Sequence, residues 1–443
     1  MHTHAFPALL AACLGGALAA QNLPALPKGY DPALWEKACR LHFAATVIDT
    51  HSDTTSRILD EDFDMGRRAP DGHMDLPRIA EGGLDAQFYS IYVAAEYAGE
   101  EDPATARSRK ESKPDFSARR ALDMIDGLVR TVERHPERMV LCTSPAELRA
   151  AVAAGRHAAL MGIEGGHAIE GDLALLRQFH RLGVRYMTLT HTNHNQYADS
   201  CAPAEPRWNG INRLGVKVVR EMNRLGMLVD VSHVSDAAFF AVLEVTRAPV
   251  ILSHSSCRAL AGHRRNVTDD MLRALARNGG VIMINFNGGF VDAEYGKRYD
   301  AWRAPLRIRE RAIEARHGAD SPEAKQAIAA LRKEHADREP ERPPLAALID
   351  HIVHALDVAG EDHVGLGSDF DGVPSVPRGL EDVTCLPRIT YELLQRGRSE
   401  AAVTKVLGGN LLRVFAAAEA KAKELRGEAP FRNDPATDSL PWR

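Results

Sequence analysis

Apolar and polar positions along the chain follow two alternating periods. Short, continuous apolar runs lie at 46–50, 86–94, 158–163, 185–190, 228–231, 249–253, 281–286 and 363–367. Runs apolar on both faces predict strands buried on both sides, as in a parallel sheet covered by helices. Between the runs, apolar residues recur every three or four positions. Ala121, Met124, Ile125, Leu128, Val129 and Val132 share one helical face of 117–134. Helices are expected as well at 32–43, 144–155, 173–182, 214–225, 236–246, 268–277 and 345–359, with 390–395 and 400–425 closing the chain. Start and stop chemistry agrees. Asp31 precedes Pro32, Ser144-Pro145-Ala146-Glu147 forms a capping box, and Gly155, Gly183, Gly226 and Gly279 stand where helices should stop.

Eight strands separated by helices predict an α/β fold, a (β/α)8 TIM-type barrel, with its chemistry at the C-terminal ends of the strands. The barrel should occupy 46–425, after a linker and helix at 21–45 and before a polar, loose tail at 426–443. Two stretches exceed a minimal barrel. One is the charged segment 96–116. The other, 292–342, is rich in Arg, Glu and Lys and helical at 324–335. It reads as a solvated helical excursion, with a wall over the barrel mouth as the functional alternative.

Charge and composition narrow the function. The 443 residues carry a formal net charge of −5 with scattered arginines, so no basic stripe is available for nucleic acid. No late segment reads as long and apolar enough to span a bilayer. The first 20 residues differ: 5–20 is apolar and small, and Ala17-Leu18-Ala19 suits signal cleavage before Gln21. Leu10-Ala11-Ala12-Cys13 also suits a lipoprotein signal, with a lipid on Cys13. Export to a periplasmic or secreted location is expected. The six cysteines show no paired spacing and do not form a disulfide scaffold.

The polar residues that end the runs carry the chemistry. His51 and Asp53 form an i, i+2 pair whose side chains share one face of extended backbone, suited to one cation. Asp49, one step earlier, reads as a buried acceptor for a ligand histidine. Glu164 ends an apolar run, and a buried carboxylate needs a pairing partner or a metal. His233 and His254 end neighbouring strands. If Glu164 is shared, two metals each receive three donors: His51, Asp53 and Glu164 for one, and Glu164, His233 and His254 for the other. Open positions then remain for catalysis. His191 can donate to a developing oxyanion, and Asp369 can carry a proton or grip an ammonium. Asp371 is the rival of Asp369 but reads as a turn residue. Arg264 or Arg265 could hold a substrate carboxylate.

The segments VIDTHSDT, GIEGGHAI, YMTLTHTNHN, LVDVSHVS, PVILSHSS, HRRNVTDDML, VGLGSDFDG and GGNLLRVF, spread from Val47 to Phe415, resemble the renal or membrane dipeptidases. These are the zinc dipeptidases of peptidase family M19, on amidohydrolase-like barrels. The resemblance implies two zinc ions per subunit, one on His51 and Asp53, one on His233 and His254, with Glu164 bridging. It implies substrate roles for His191, Arg265 and Asp369. The cysteines do not fall where mammalian members form bridges.

The expected function is therefore a binuclear zinc dipeptidase, in which a water or hydroxide held between the metals attacks the peptide carbonyl. The expected partner is a small dipeptide, with no nucleic acid and no transmembrane helix, the protein acting alone or as a homodimer. Two rivals remain open. One is a related barrel hydrolase acting on a lactam, lactone or N-acyl amino acid. The other is an inactive periplasmic peptide or metal binder.

Overall fold

The computed structural model describes residues 23–99, 115–318 and 321–443. The expected leader and most of the charged segment 96–116 lie outside them. Nine strands form one all-parallel sheet: β1 Ile48–Ser52, β2 Ala86–Tyr92, β3 Met139–Leu141, β4 His157–Glu164, β5 Val184–Thr188, β6 Leu228–Asp230, β7 Ile251–Ser255, β8 Val281–Ile284 and β9 Val364–Leu366. The order is β2-β1-β9-β8-β7-β6-β5-β4-β3, and pairing of β2 with β4 closes eight of the nine into a (β/α)8 barrel. The extra strand, β3, was not expected. It pairs with β4 at 157–159, before β5 begins its own pairing at Met161, so it fills a stretch of edge that the ring leaves open.

The strands are buried along almost their whole length, as their continuous apolar runs demand. One cluster lies largely inside the barrel and includes Ile48, Phe88, Leu160, Tyr186, Leu228, Ile251 and Met283. The helix Asn410–Glu424 adds Leu411, Val414 and Phe415 to it, with the Phe415 and Phe88 ring centroids 6.2 Å apart. A larger cluster fills the space between sheet and outer helices.

Several expectations need correction. The stretch 400–425 is not one helix. It is a short helix Glu400–Thr404, a wide turn through Gly408 at φ 176°, and then Asn410–Glu424. A Cβ at Gly408 would lie 2.3 Å from the Thr46 carbonyl oxygen, so the chain unwinds to pass β1. Contrary to expectation, Glu400–Glu424 is apolar and long enough to cross a membrane by composition, but most of it is buried against the barrel. It is a core helix.

Two short helices, Thr54–Asp60 and Leu76–Gly82, lie between β1 and β2, where the periodicity predicts none. The tail is docked rather than loose. Lys217 pairs with Asp438 at 2.6 Å, the Leu214 amide bonds the Asp438 carbonyl, and Asn433 bonds both Gly171 and Leu173. The segment after β8 folds into a pair of helices, Ala293–His317 and Pro322–His335. Their junction includes Glu310, whose two carboxylate oxygens accept from Arg303 and Arg332 at 2.6 and 2.7 Å. All five described cysteines are free.

Candidate metal centre

The strand-end residues converge at one mouth of the barrel. The Glu164 carboxylate stands at the centre, 3 % exposed. Its Oε2 faces His51 Nε2 at 3.3 Å, and its Oε1 faces His233 Nε2 and His254 Nε2 at 2.9 and 3.1 Å. His51 Nε2 also lies 3.6 Å from Asp53 Oδ2 and 3.9 Å from Asp369 Oδ1. His191 Nε2 is 3.9 Å from Glu164 Oε1. Every residue expected at the site is therefore within one small volume, except the two arginines, which border it.

How the side chains arrive there differs from the simple strand rule. Ile48 and Ile251 belong to the barrel-interior cluster, so strict alternation would turn His51 and His254 away from it. The pairing shifts register between Asp49 and Ser52 and between Leu252 and Ser255, at the strand ends that carry these two histidines. Such irregularities re-aim side chains beside active sites. Asp53 is not in extended backbone. It sits at φ −91°, ψ 17°, as the cap of the helix Thr54–Asp60. His51 and Asp53 do meet, but not through a shared face of extended backbone. His233 and Asp369 lie beyond their strands with φ of 66° and 63°. Left-handed backbone is uncommon outside glycine, His and Asp being among the types that tolerate it best, and it clusters at functional sites. Gly372 is required for packing: a Cβ there would meet Asp53 Oδ2 at 1.9 Å.

A second ring of contacts orients the donors. His51 Nδ1 pairs with the Tyr186 hydroxyl at 2.8 Å. Ser253 Oγ donates to Asp230 Oδ2 at 2.6 Å and pairs with His254 Nδ1 at 2.7 Å. A serine has one proton to give, and a carboxylate only accepts, so His254 Nδ1 donates and its Nε2 carries the lone pair. That lone pair then faces the Glu164 carboxylate. Acceptor facing acceptor is repulsive unless a cation lies between them. His51 Nε2 and Asp53 Oδ1 are buried without a hydrogen bond, although buried polar atoms are rarely left so. Converging imidazoles, one with its tautomer fixed, two carboxylates and orphaned donor atoms suit a metal with nitrogen and oxygen ligands. Three overlapping sets are close enough to hold a cation: His51, Glu164 and His254; Glu164, His191 and His233; and His51, Asp53 and Asp369.

Asp49 departs from expectation. It bonds no imidazole. Its carboxylate accepts from the Ser368 amide and hydroxyl at 2.8 and 2.5 Å, tying the start of β1 to the loop after β9. The oriented histidine beside it is served instead by Tyr186. Sequence reasoning does not single out Tyr186 or Asp230. Asp230 carried the same mark as Glu164, a carboxylate closing an apolar run.

The electrostatics follow from burial and crowding. Burial opposes charge on Glu164, but the imidazoles around it, His51 and His191 foremost, hold its pKa well below the usual range. Burial lowers His233, His254 and His191, and Glu164 only partly offsets this. Burial also opposes charge on His51, yet Tyr186, Glu164 and Asp53 hold it well above its ordinary value. Asp369 is pushed up to about 8 by burial, with Asp53 and Glu164 adding like charge. Its Oδ2 accepts from Asn285 Nδ2 at 2.8 Å.

The cavity over this centre measures about 860 Å3. Tyr92 lines it, its ring edge-on to His191 at 5.0 Å. Arg265 also lines it, 8 % exposed, donating to the His254 carbonyl and the Ser255 hydroxyl at 2.8 and 3.1 Å. No carboxylate pairs with it among the described residues, and its Nε is buried without a partner. Arg264 is exposed and donates to the carbonyls of Cys201, Ala202 and Pro203. Asp371 holds the loop by accepting from Thr54 and His73.

The family model described as membrane dipeptidase, peptidase family M19, matches residues 35–429. Dipeptidase aclJ of Aspergillus oryzae is 39% identical over 366 residues, which is 82% of this chain and 74% of the relative. The probable dipeptidase PvdM of Pseudomonas aeruginosa has a similar fold, with a TM-score of 0.73 at 24% identity, covering 88% of this chain and 100% of that one. A metallopeptidase from Rhodobacter sphaeroides, solved with a phosphinate mimic of the dipeptide L-Ala-D-Ala, superposes with a TM-score of 0.66 at 25% identity. That match covers 84% of this chain and 99% of that one.

Proposed function

Because the chain belongs to the membrane dipeptidase family, peptidase family M19, we propose that it hydrolyses dipeptides with two zinc ions held by His51, Asp53, Glu164, His233 and His254. The observation that carries this reading is the division of the Glu164 carboxylate, one oxygen toward His51 and the other toward His233 and His254. When bound, the zinc ions supply an acidified water nucleophile and Lewis acidity toward the scissile carbonyl.

The protein's own groups do the rest. Arg265, buried and without a carboxylate partner, holds the C-terminal carboxylate of the substrate. His191 donates to the carbonyl oxygen as it gains charge. Asp369, one oxygen tied to Asn285, offers the other to the cavity. There it grips the substrate ammonium or passes the proton to the leaving amine as the C–N bond breaks. The phosphinate dipeptide mimic bound by the Rhodobacter sphaeroides protein supports a dipeptide-sized substrate. The composition of residues 1–20 supports action after export.

The test is metal analysis and a dipeptide panel on one purified sample, with Glu164→Gln beside it. The native protein is expected to hold zinc at both positions and to cleave free dipeptides. The variant is expected to lose metal from both positions together. Full turnover by metal-free protein would refute the reading.

A further inference from the structure

A second cavity, about 360 Å3, lies beside the first under the helix Ala293–His317. The two share Gly262, His263, Asn287 and Phe290 as common walls. A hollow of this size shares four wall residues with the reaction cavity, and its volume lies in the range of ligand sites, about 300–1000 Å3.

Its walls are aromatic and its lip is charged. Tyr295 and Tyr299 form the inner face, 1 % and 9 % exposed, with ring centroids 5.8 Å apart. The Tyr295 hydroxyl is occupied, donating to Ser375 Oγ at 2.8 Å. Phe290 and Pro374 extend the apolar lining. Lys297, Asp300 and Arg307 are exposed at the rim. The helix is seated firmly: Gly296 packs on Gly289, where a Cβ would stand 3.2 Å from the neighbouring Cα.

Arg265 stands against the shared wall. The His263 and Phe290 rings, 4.7 Å apart, form the partition, and the Arg265 guanidinium sits over the Phe290 ring at 5.6 Å. A residue whose carboxylate is held by Arg265 therefore has its side chain at this partition. We propose that the second cavity receives the side chain of the substrate's C-terminal residue, and that it selects an aromatic one. This rests on the dipeptidase reading and on Arg265 as the carboxylate anchor. The selecting wall, Tyr295 and Tyr299, comes from the helical segment that exceeds a minimal barrel. That segment therefore acts as a specificity element.

The test is a panel on the purified, metal-loaded protein: Ala-Ala, Ala-Phe, Ala-Trp, Ala-Lys, Ala-Glu and the reversed Phe-Ala. Burying an aromatic side chain should raise kcat/KM for Ala-Phe and Ala-Trp over Ala-Ala by about tenfold or more. Phe-Ala should gain no such advantage. Ala293→Phe, which fills the cavity, should collapse the ratio of Ala-Phe to Ala-Ala toward unity. Tyr299→Ala, which removes part of the wall, should lower the same ratio without depending on the first variant folding. A flat panel, a preference for Ala-Lys or Ala-Glu, or a ratio untouched by both variants would overturn this proposal and leave the dipeptidase reading standing. A panel with no cleavage at all would overturn both.

Discussion

The Tyr186 hydroxyl holds His51 Nδ1 at 2.8 Å, and this contact aims His51 Nε2 at Glu164. The tyrosine ring is itself positioned by an absence. A Cβ on Gly162, its neighbour across the β4–β5 pairing, would fall 2.0 Å from the ring.

Tyr186→Phe should keep the packing and lose the bond. Outer contacts of this kind are worth about 10- to 100-fold in metal affinity. Gly162→Ala should have an effect at least as large, because it moves the ring as well. Competition with a chromophoric chelator would measure both. Unchanged affinity in Tyr186→Phe would show that His51 needs no orienting partner.

His191 is close enough to Glu164 and His233 to serve either as an oxyanion donor or as a metal ligand. As a donor, its loss in His191→Ala should cut kcat by about 10²- to 10³-fold while leaving metal content intact. Metal analysis of the same sample separates the roles, since loss of an ion would make His191 a ligand.

Arg265→Ala should weaken kcat/KM for a free dipeptide by the cost of losing a charge partner in a buried setting, about 2–5 kcal/mol. The same substitution should matter far less for the C-amide, which has no carboxylate to hold. Arg264→Ala should change neither by much, because that side chain bonds carbonyl groups at the surface. Equal losses on acid and amide would remove Arg265 from carboxylate binding. Comparison of N-acetyl and free dipeptides assigns Asp369 in the same way: a gripped ammonium makes acetylation costly, and a proton carrier does not.

Three histidines remote from the metal centre make the fold sensitive to acid. His42, His157 and His351 are each lowered by burial from 6.5 to about 4. Folded, they stay neutral until about pH 4, whereas unfolded they take up protons near pH 6.5. The unfolded state therefore binds more protons between these values, and stability falls as pH drops through that window. Each contributes about 1.4 kcal/mol per pH unit. His42 bonds Thr390 and the Gly82 carbonyl, and His42→Gln retains a donor and an acceptor without the titration. Urea unfolding between about pH 7 and pH 5 should show a shallower decline in the variant. Parallel declines would mean that His42 titrates normally.

The barrel was legible because its marks are local. A run apolar on both faces announces a strand buried on both sides, and Asp31, Ser144 and Thr268 do cap their helices as their sequence context demands. The donor residues were legible for the same reason: a carboxylate or imidazole ending an apolar run is costly to bury without a partner. The short strand β3 and the helix Thr54–Asp60 were not, being too brief for a periodic signal.

What only the tertiary structure decided is where each polar end points and what holds it. Strand alternation would have turned His51 and His254 aside. The register shifts and the left-handed backbone of His233 and Asp369 bring the set together. Asp49 reads as an acceptor for a ligand histidine, yet it bonds none, and Tyr186, 135 positions away from His51, holds that ring. The tail looked loose by composition, but Asp438 finds Lys217 across 221 positions. Residue identity and periodicity are properties of a short window of chain. Distance between remote residues, and the small backbone departures that set it, arise only once the barrel closes.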